Sequence, residues 1–413
     1  MGRFTDTYTL VRFGNRRHPW VLRLLVATVG WGAVLVSGGG VNASRTCFRH
    51  LRDGHAFKAS LRRLAWYLKT GILRVQLIDD PNFDITEGLE TPDELRTLGS
   101  YLQKRRNTNP DDLSLWIDQL YLDATLLHHH ARSDRFAPGA FERFCAQADA
   151  LLQRIGTPPP LSDRTHIRSD TSPPPPFTSD TFIPSATRSL QLFSEHLPNT
   201  DYPWYVISGT FLGLHRDNGF LPHDYDIDLG INAHEVDMDD LVSRLRSLPE
   251  HTIKSIYTIP RISVGETVTY HEQTGIIKLV HSSGIQIDLF VHHLREGKLL
   301  HGTRIHVWEN TAYGLEHRTL AGVDVLAPDT PERYLRENYG DWETPITEFN
   351  CSTDTPNMHI TQNFYAIAFF LRKLFTHHRS GEIAAWQSTW QTLQHEGVII
   401  DQRIDPAFFA RPL

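Results

Sequence analysis

From Asp224 to Ile231 the chain reads DYDIDLGI, a regular alternation of acidic and apolar residues. Alternation of period two belongs to an extended strand, whose successive side chains point to opposite faces. Tyr225, Ile227 and Leu229 then share one face, and Asp224, Asp226 and Asp228 the other. One face packs, and the other is a row of carboxylates. Neighbouring carboxylates repel and raise each other's proton affinity unless a cation sits between them. An oxygen-only ligand set favours a hard divalent ion, Mg2+ or Mn2+. The competing reading is an edge strand whose charges blunt pairing with other chains.

A second acid joins the first row. Ile285–Val291 reads IQIDLFV, so Asp288 is a lone acid on an otherwise apolar strand, and Ile276–Val280 is a further strand candidate. The intervening His281-Ser282-Ser283-Gly284 suits a hairpin loop. Asp288 is thereby expected beside the Asp226 strand, as a third metal ligand or as a general base; the competing reading is an acid satisfied by backbone N–H groups at a strand end. Upstream, Ser208-Gly209-Thr210 is a glycine turn 17 residues before Asp226, offering N–H groups and a hydroxyl to a phosphate. Arg216 is the candidate partner of a donor phosphate, since guanidinium binds phosphate oxygens bidentately. Its alternative is a surface pair with Asp217.

Together, Gly209-Thr210, Asp226-Ile227-Asp228-Leu229 and Asp288 between apolar neighbours resemble the nucleotidyltransferase fold. Within that fold the finer resemblance is to the LicD and fukutin family. It is carried by the segment from Gly209 through Arg216 to Phe220, Pro222, His223 and Asp224, and by YLRENYGDWETP at Tyr334–Pro345. It covers roughly residues 204–357. Thr210 stands where the broader fold usually has Gly or Ser, and Leu221 where Ile is common; neither change removes a chemical group.

The resemblance implies an α/β (α+β) fold, a nucleotidyltransferase-like mixed sheet flanked by helices. It also implies phosphodiester transfer from a CDP-linked donor (CDP-ribitol, CDP-glycerol or CDP-choline) onto a glycan or glycoprotein hydroxyl, with CMP leaving. Asp226 and Asp228 are then metal ligands, with Asp288 as third ligand or base. Ser208, Gly209, Thr210, Arg216, His223 and Asp224 hold the donor, Asp224 at the strand mouth orienting His223 or Arg216. Tyr339 and Trp342 are candidates for an aromatic wall against the base or acceptor sugar, although aromatic residues are more often core. Two other classes stay in view. A metal-dependent glycosyltransferase also uses D-x-D, but it releases UDP or GDP and gives no account of Asp288 or the Gly-Thr turn. A non-catalytic scaffold has no need of the complete acid set.

Composition bounds the rest. The 413 residues leave room for two or three domains, and 41 basic against 48 acidic residues argue against a dedicated nucleic-acid binder. Cys47, Cys145 and Cys351 show no CxxC spacing, so neither a zinc site nor a disulfide framework is indicated. The histidine run His128–His130 reads by default as surface histidines. Residues 20–41 are largely apolar and are preceded by Arg12, Arg16 and Arg17. That pattern is expected to be a signal or a single-pass anchor with a cytoplasmic N terminus and a Golgi or ER lumenal body, the competing reading being a buried hydrophobic helix of a soluble protein. A bacterial cytoplasmic or envelope-associated setting is the alternative. Asn42-Ala43-Ser44 and Asn350-Cys351-Ser352 match the N-glycosylation pattern, which matters only in the lumenal case.

The expected domains are an N-terminal segment (1–45), a mostly helical stem (46–155), a Pro/Ser/Thr-rich linker (156–181) and a catalytic domain (182–413). Helical spacing covers 56–77 and 110–155. The last two helices, 360–375 and 381–394, are expected on the catalytic core, and Asn232 is expected to cap a helix that buries Val236, Leu241, Leu245 and Leu248.

Overall fold

The computed structural model describes residues 95, 99–100, 102–103, 106–108, 110–133, 138–158, 179–221, 224–345 and 355–411. The apolar segment 20–41, the predicted helix 56–77, most of the linker, Pro222, His223 and both glycosylation tripeptides lie outside these residues. Among the described residues no helix is long and apolar enough to cross a membrane.

The chain divides into two compact units. One holds the described residues among 1–165 together with 264–268 and 367–411, and the other those among 166–263, 269–366 and 412–413.

In the first unit, α1 (Leu113–Arg132) and α2 (Pro138–Ile155) realise the predicted helical spacing. The Asp112 side chain caps α1 by accepting from the Ser114 N–H at 3.1 Å. Leu115, Leu120, Leu122 and Leu127 are buried, as are Phe144, Ala148, Leu151 and Leu152 from α2. Residues 367–411 group with this unit, whereas the sequence reading put the final helices on the catalytic core. The grouping has specific causes. Trp386 Nε1 donates to the Ile155 carbonyl at 3.0 Å, and the Asp149 carboxylate accepts from the Ile404 N–H at 2.7 Å. Cys145, on α2, is a free thiol whose proton affinity burial pushes up to about 12.

The second unit is built on a mixed sheet flanked by helices, the architecture expected from sequence. After α3 (Ser179–His196) come β1 (Tyr205–Val206), α4 (Ser208–Asp217), β2 (Asp226–Asn232) and α5 (Met238–Ser247). There follow β3 (His251–Val264), β4 (Val268–His281), β5 (Gln286–Arg295), β6 (Lys298–Gly302), β7 (His306–Thr311), β8 (Leu315–Leu320) and β9 (Val323–Pro328), then α6 (Pro331–Tyr339) and β10 (Met358–Ile360). The main path runs β10-β7-β6-β5-β2-β1-β9-β8, with the β3–β4 hairpin added along β5. β2 is an interior strand, antiparallel to β1 and parallel to β5. That placement removes the edge-strand reading of its aspartates, because no free edge is left for their charge to protect.

Alternation along β2 then does what the sequence requires. Ile227, Leu229 and Ile231 are fully buried in one cluster with Phe182, Leu190 and Phe193 of α3, Leu241 and Leu245 of α5, and Ile287, Leu289 and Val291 of β5. The acids are left to the other face. Capping differs from expectation at one point. The Asn232 side chain accepts from the Tyr205 hydroxyl at 2.9 Å and donates to Glu235 at 3.0 Å, while Asp237 caps α5 by accepting from the N–H groups of Asp239 and Asp240. A short 3-10 turn, Ala233–Glu235, separates the strand from the helix and moves the cap downstream.

Candidate active site

Three carboxylates converge where β2 begins. Asp226 and Asp228 stand on the same face of the strand. Asp224 lies before it, where the backbone has turned so that its N–H reaches the Leu221 carbonyl at 3.3 Å. One oxygen from each of Asp224, Asp226 and Asp228 lies within 4.8 Å of the other two. Burial and mutual repulsion are both visible in the proton affinities. Burial, and then the neighbouring Asp224, push Asp226 up to about 7. Burial also raises Asp228 well above the usual carboxylate range, with Asp226, Asp224 and Asp288 adding to it. For Asp224 burial again leads, opposed by a hydrogen bond with Asp226. A cluster that resists carrying its own charge has an unmet demand for a cation, and its donors are all carboxylate oxygen. The group fits a hard divalent ion such as Mg2+ or Mn2+.

The glycine turn forms one wall of this cluster. The Gly209 N–H donates to Asp228 Oδ2 at 3.3 Å, and the Thr210 hydroxyl accepts from the Asp228 N–H at 2.9 Å. Ser208 holds a left-handed φ of +47°, a conformation that costs a non-glycine residue energy and concentrates at functional sites. Its N–H donates to the Tyr334 hydroxyl at 2.9 Å. A Cβ on Gly209 would lie 2.0 Å from Asp224 Oδ2, so glycine is needed here to let the carboxylate approach the backbone. The sequence reading offered the N–H groups of this turn to a phosphate. In the structure those of Ser208 and Gly209 are already engaged, and the turn shapes the acid cluster instead.

β5 supplies the fourth acid. The parallel register sets Asp228 opposite Asp288 and Asp226 opposite Gln286, and the antiparallel register of β4 sets Lys278 opposite Asp288. Lys278 Nζ is hydrogen-bonded and ion-paired to Asp288 Oδ2. Among the described residues Asp288 Oδ1 is buried with no hydrogen-bond partner. Burial raises the proton affinity of Asp288, and Lys278 pulls it back. Burial opposes the charge on Lys278, yet Asp288 and Asp226 outweigh it and leave that pKa raised. The Asp224 oxygen thus lies with those of Asp226 and Asp228, in the carboxylate row that alternation gives it, while Asp288 is turned to a lysine.

The remaining predicted residues fall around this centre. Arg216 donates through Nε and Nη2 to Asp217 and through Nη1 to the Trp342 carbonyl at 3.3 Å, so its surface-pair alternative is the arrangement present. Trp342 and Tyr339 are half-buried against the core, and the Trp342 ring lies 5.3 Å from that of His215. His223 is outside the described residues.

A family model for the LicD/FKTN/FKRP nucleotidyltransferase domain matches residues 201–330. This segment is a LicD/fukutin-family domain. The chain is 25% identical over 174 residues to an uncharacterized protein of Rickettsia prowazekii, a match covering 38% of this chain and 58% of the relative. It is 24% identical over 186 residues to ribitol-5-phosphate transferase FKTN of Mus musculus, covering 43% of this chain and 37% of the relative. An uncharacterized protein of Rickettsia typhi is 25% identical over 157 residues, 36% of this chain and 43% of the relative. The chain thus spans between about one third and three fifths of the length of these relatives.

Two features of the LicD/fukutin domain escaped the sequence reading. Lys278 is one, and its signal was present: it is the lone cation in Ile276–Val280, on a strand already expected to pair with that of Asp288. The other is Tyr334, four residues past the matched segment, whose hydroxyl accepts from the Ser208 N–H. Tyr334 is buried, with its ring against Phe211 and Tyr313. Tyr334→Phe keeps those ring contacts but leaves the Ser208 N–H unsatisfied, at a cost of about 1–3 kcal/mol. Thermal unfolding should show a melting temperature lower by several degrees, and an unchanged value would mean that the hydrogen bond does not hold the turn.

Proposed function

We propose that the LicD/fukutin domain transfers an alcohol-phosphate or alditol-phosphate group from a CDP-linked donor to a glycan hydroxyl, releasing CMP. The observation that carries this reading is the convergence of Asp224, Asp226 and Asp228 beside the register-paired Asp288. The mouse relative is a ribitol-5-phosphate transferase by name, which supports CDP-ribitol as the first donor to test, ahead of CDP-glycerol and CDP-choline.

In this reaction the acceptor oxygen forms a bond to the phosphorus that bears the alcohol, the bond from that phosphorus to the CMP oxygen breaks, and the hydroxyl proton passes to a base. A bound Mg2+ or Mn2+ supplies neutralisation of phosphate charge and a more acidic attacking hydroxyl. Asp224, Asp226 and Asp228 hold that ion. Asp288 is the residue for the proton, because Lys278 fixes one of its oxygens while the other is free to accept. Arg216 reaches a donor phosphate by giving up Asp217, an exchange that costs little because that pair is partly solvent-exposed.

The test is CMP release from CDP-ribitol by the full chain with Mn2+, alongside calorimetric titration of CDP, UDP and GDP. Metal-dependent binding of CDP in preference to the other two is the expected result. Preference for UDP or GDP would replace this reading with a glycosyltransferase, and binding of none by the folded protein would leave a scaffold.

A further inference from the structure

Two-metal phosphoryl-transfer sites set their ions about 3.5–4 Å apart, between carboxylates that bridge or flank them. Here the acid set is large enough to raise the question of a second ion, since Asp288 neighbours Asp228 on the adjoining strand, and paired strands run about 4.8 Å apart. That neighbour already has a cation. Lys278, Asp288 and Asp228 are register partners on three consecutive strands, β4, β5 and β2, so their side chains leave the same face of the sheet in one row. Lys278 reaches along that row to Asp288 Oδ2 and leaves the Asp224, Asp226 and Asp228 group open.

We propose that Lys278 stands in for a second divalent ion: the LicD/fukutin domain binds one metal, at Asp224, Asp226 and Asp228, and the Lys278 ammonium is the fixed cation at Asp288. This rests on the metal-dependent reading above and specifies its stoichiometry. Lys278 offsets the charge of Asp288, and the three converging acids are left for one divalent ion. Position argues the same way. A lysine whose role was only to hold the hairpin together has no reason to end on the one acid outside the converging group, beside its innermost member. A stand-in cation has to be there. The arrangement also keeps Asp288 from being drawn into the coordination sphere, so that its second oxygen stays available to the acceptor hydroxyl.

The experiment is Mn2+ binding to the purified full-length chain, followed by calorimetry and by the electron paramagnetic resonance signal of free Mn2+, with no turnover measured. The wild type is expected to bind one Mn2+ per chain. Lys278→Met keeps the unbranched stem of the side chain and removes the ammonium. It should gain a second Mn2+ site and bind the first ion about tenfold more tightly, the effect expected on losing a like charge close by. Lys278→Arg should keep one site. If Lys278→Met does not fold, Asp288→Asn gives an independent reading, because it should still bind one Mn2+, about tenfold more weakly than the wild type since the Lys278 charge is then uncompensated. Two ions in the wild type, an unchanged single site in folded Lys278→Met, or loss of Mn2+ binding in Asp288→Asn would each overturn the proposal and leave the functional reading standing. A wild type that binds no Mn2+ would overturn both.

Discussion

Asp226→Asn is expected to lower CMP release by about a thousandfold and, in EDTA at pH 8, to raise the melting temperature of the same protein. The first effect follows from losing a ligand at the centre of the converging group. Charge stabilisation by a metal is worth several kcal/mol in the transition state, and each 1.36 kcal/mol is a factor of ten in rate. The second follows from proton linkage. Burial pushes Asp226 up to about 7 in the fold, against 3.8 in the unfolded chain. A carboxyl whose folded pKa is raised favours folding while protonated, and that contribution is lost as pH climbs from about 4 through 7. At pH 8 the metal-free wild type bears the whole penalty, and asparagine, which carries no charge, bears none. Allowing for coupling to Asp224, the difference is about 1–3 kcal/mol, several degrees in melting temperature. It should shrink towards zero near pH 4. Adding Mn2+ should reverse the order, because a ligand that binds only the native wild type stabilises only that protein. Melting curves at pH 4, 6 and 8, with and without Mn2+, give the answer, and a variant less stable than wild type in EDTA at pH 8 would contradict it.

Gly209→Val should weaken Mn2+ binding and CMP release together, each by about 10–100-fold, the range typical of disturbing a residue that orients a metal ligand. The new Cβ would fall 2.0 Å from Asp224 Oδ2, so the carboxylate has to swing out of the group. Asp224→Asn should give a similar loss. Combining the two should add little, since both substitutions remove the same ligand. Additive losses in that cycle would mean that Gly209 acts through something other than Asp224. Undiminished Mn2+ affinity in Gly209→Val would remove Asp224 from the ligand set.

Much of the second unit was legible in the chain because period-two alternation is a strong signal. The faces of β2 and β5, the hairpin before Asp288 and the mixed sheet followed from residues 224–291 and from the family resemblance. Register was not legible. Nothing in the two strands says that Asp288 pairs with Asp228 rather than with Asp226, because parallel strands are not joined by a turn that fixes their offset. Alternation gives Asp224 its place in the carboxylate row, where its oxygen converges with those of Asp226 and Asp228; its assignment to the donor came from the family resemblance instead. Arg216 was read from the chemistry of its guanidinium, but the neighbouring Asp217 and a carbonyl 126 residues away decide where it points. The grouping of residues 367–411 depends on bonds such as that of Trp386 to Ile155, between residues 231 apart, which no local pattern announces.

The hydrogen bond from the Ser208 N–H to the Tyr334 hydroxyl also sets an order of events during synthesis. The turn beside the acids is made early, but the side chain that secures its strained backbone leaves the ribosome 126 residues later. At about 5–20 residues per second, the unfinished domain spends roughly 6–25 seconds with the turn made and its fastening absent. A chain ending before Tyr334 should carry every acid of the site and still be unable to present them as a set. Assembly of the acid cluster therefore waits on residues made long after the turn itself.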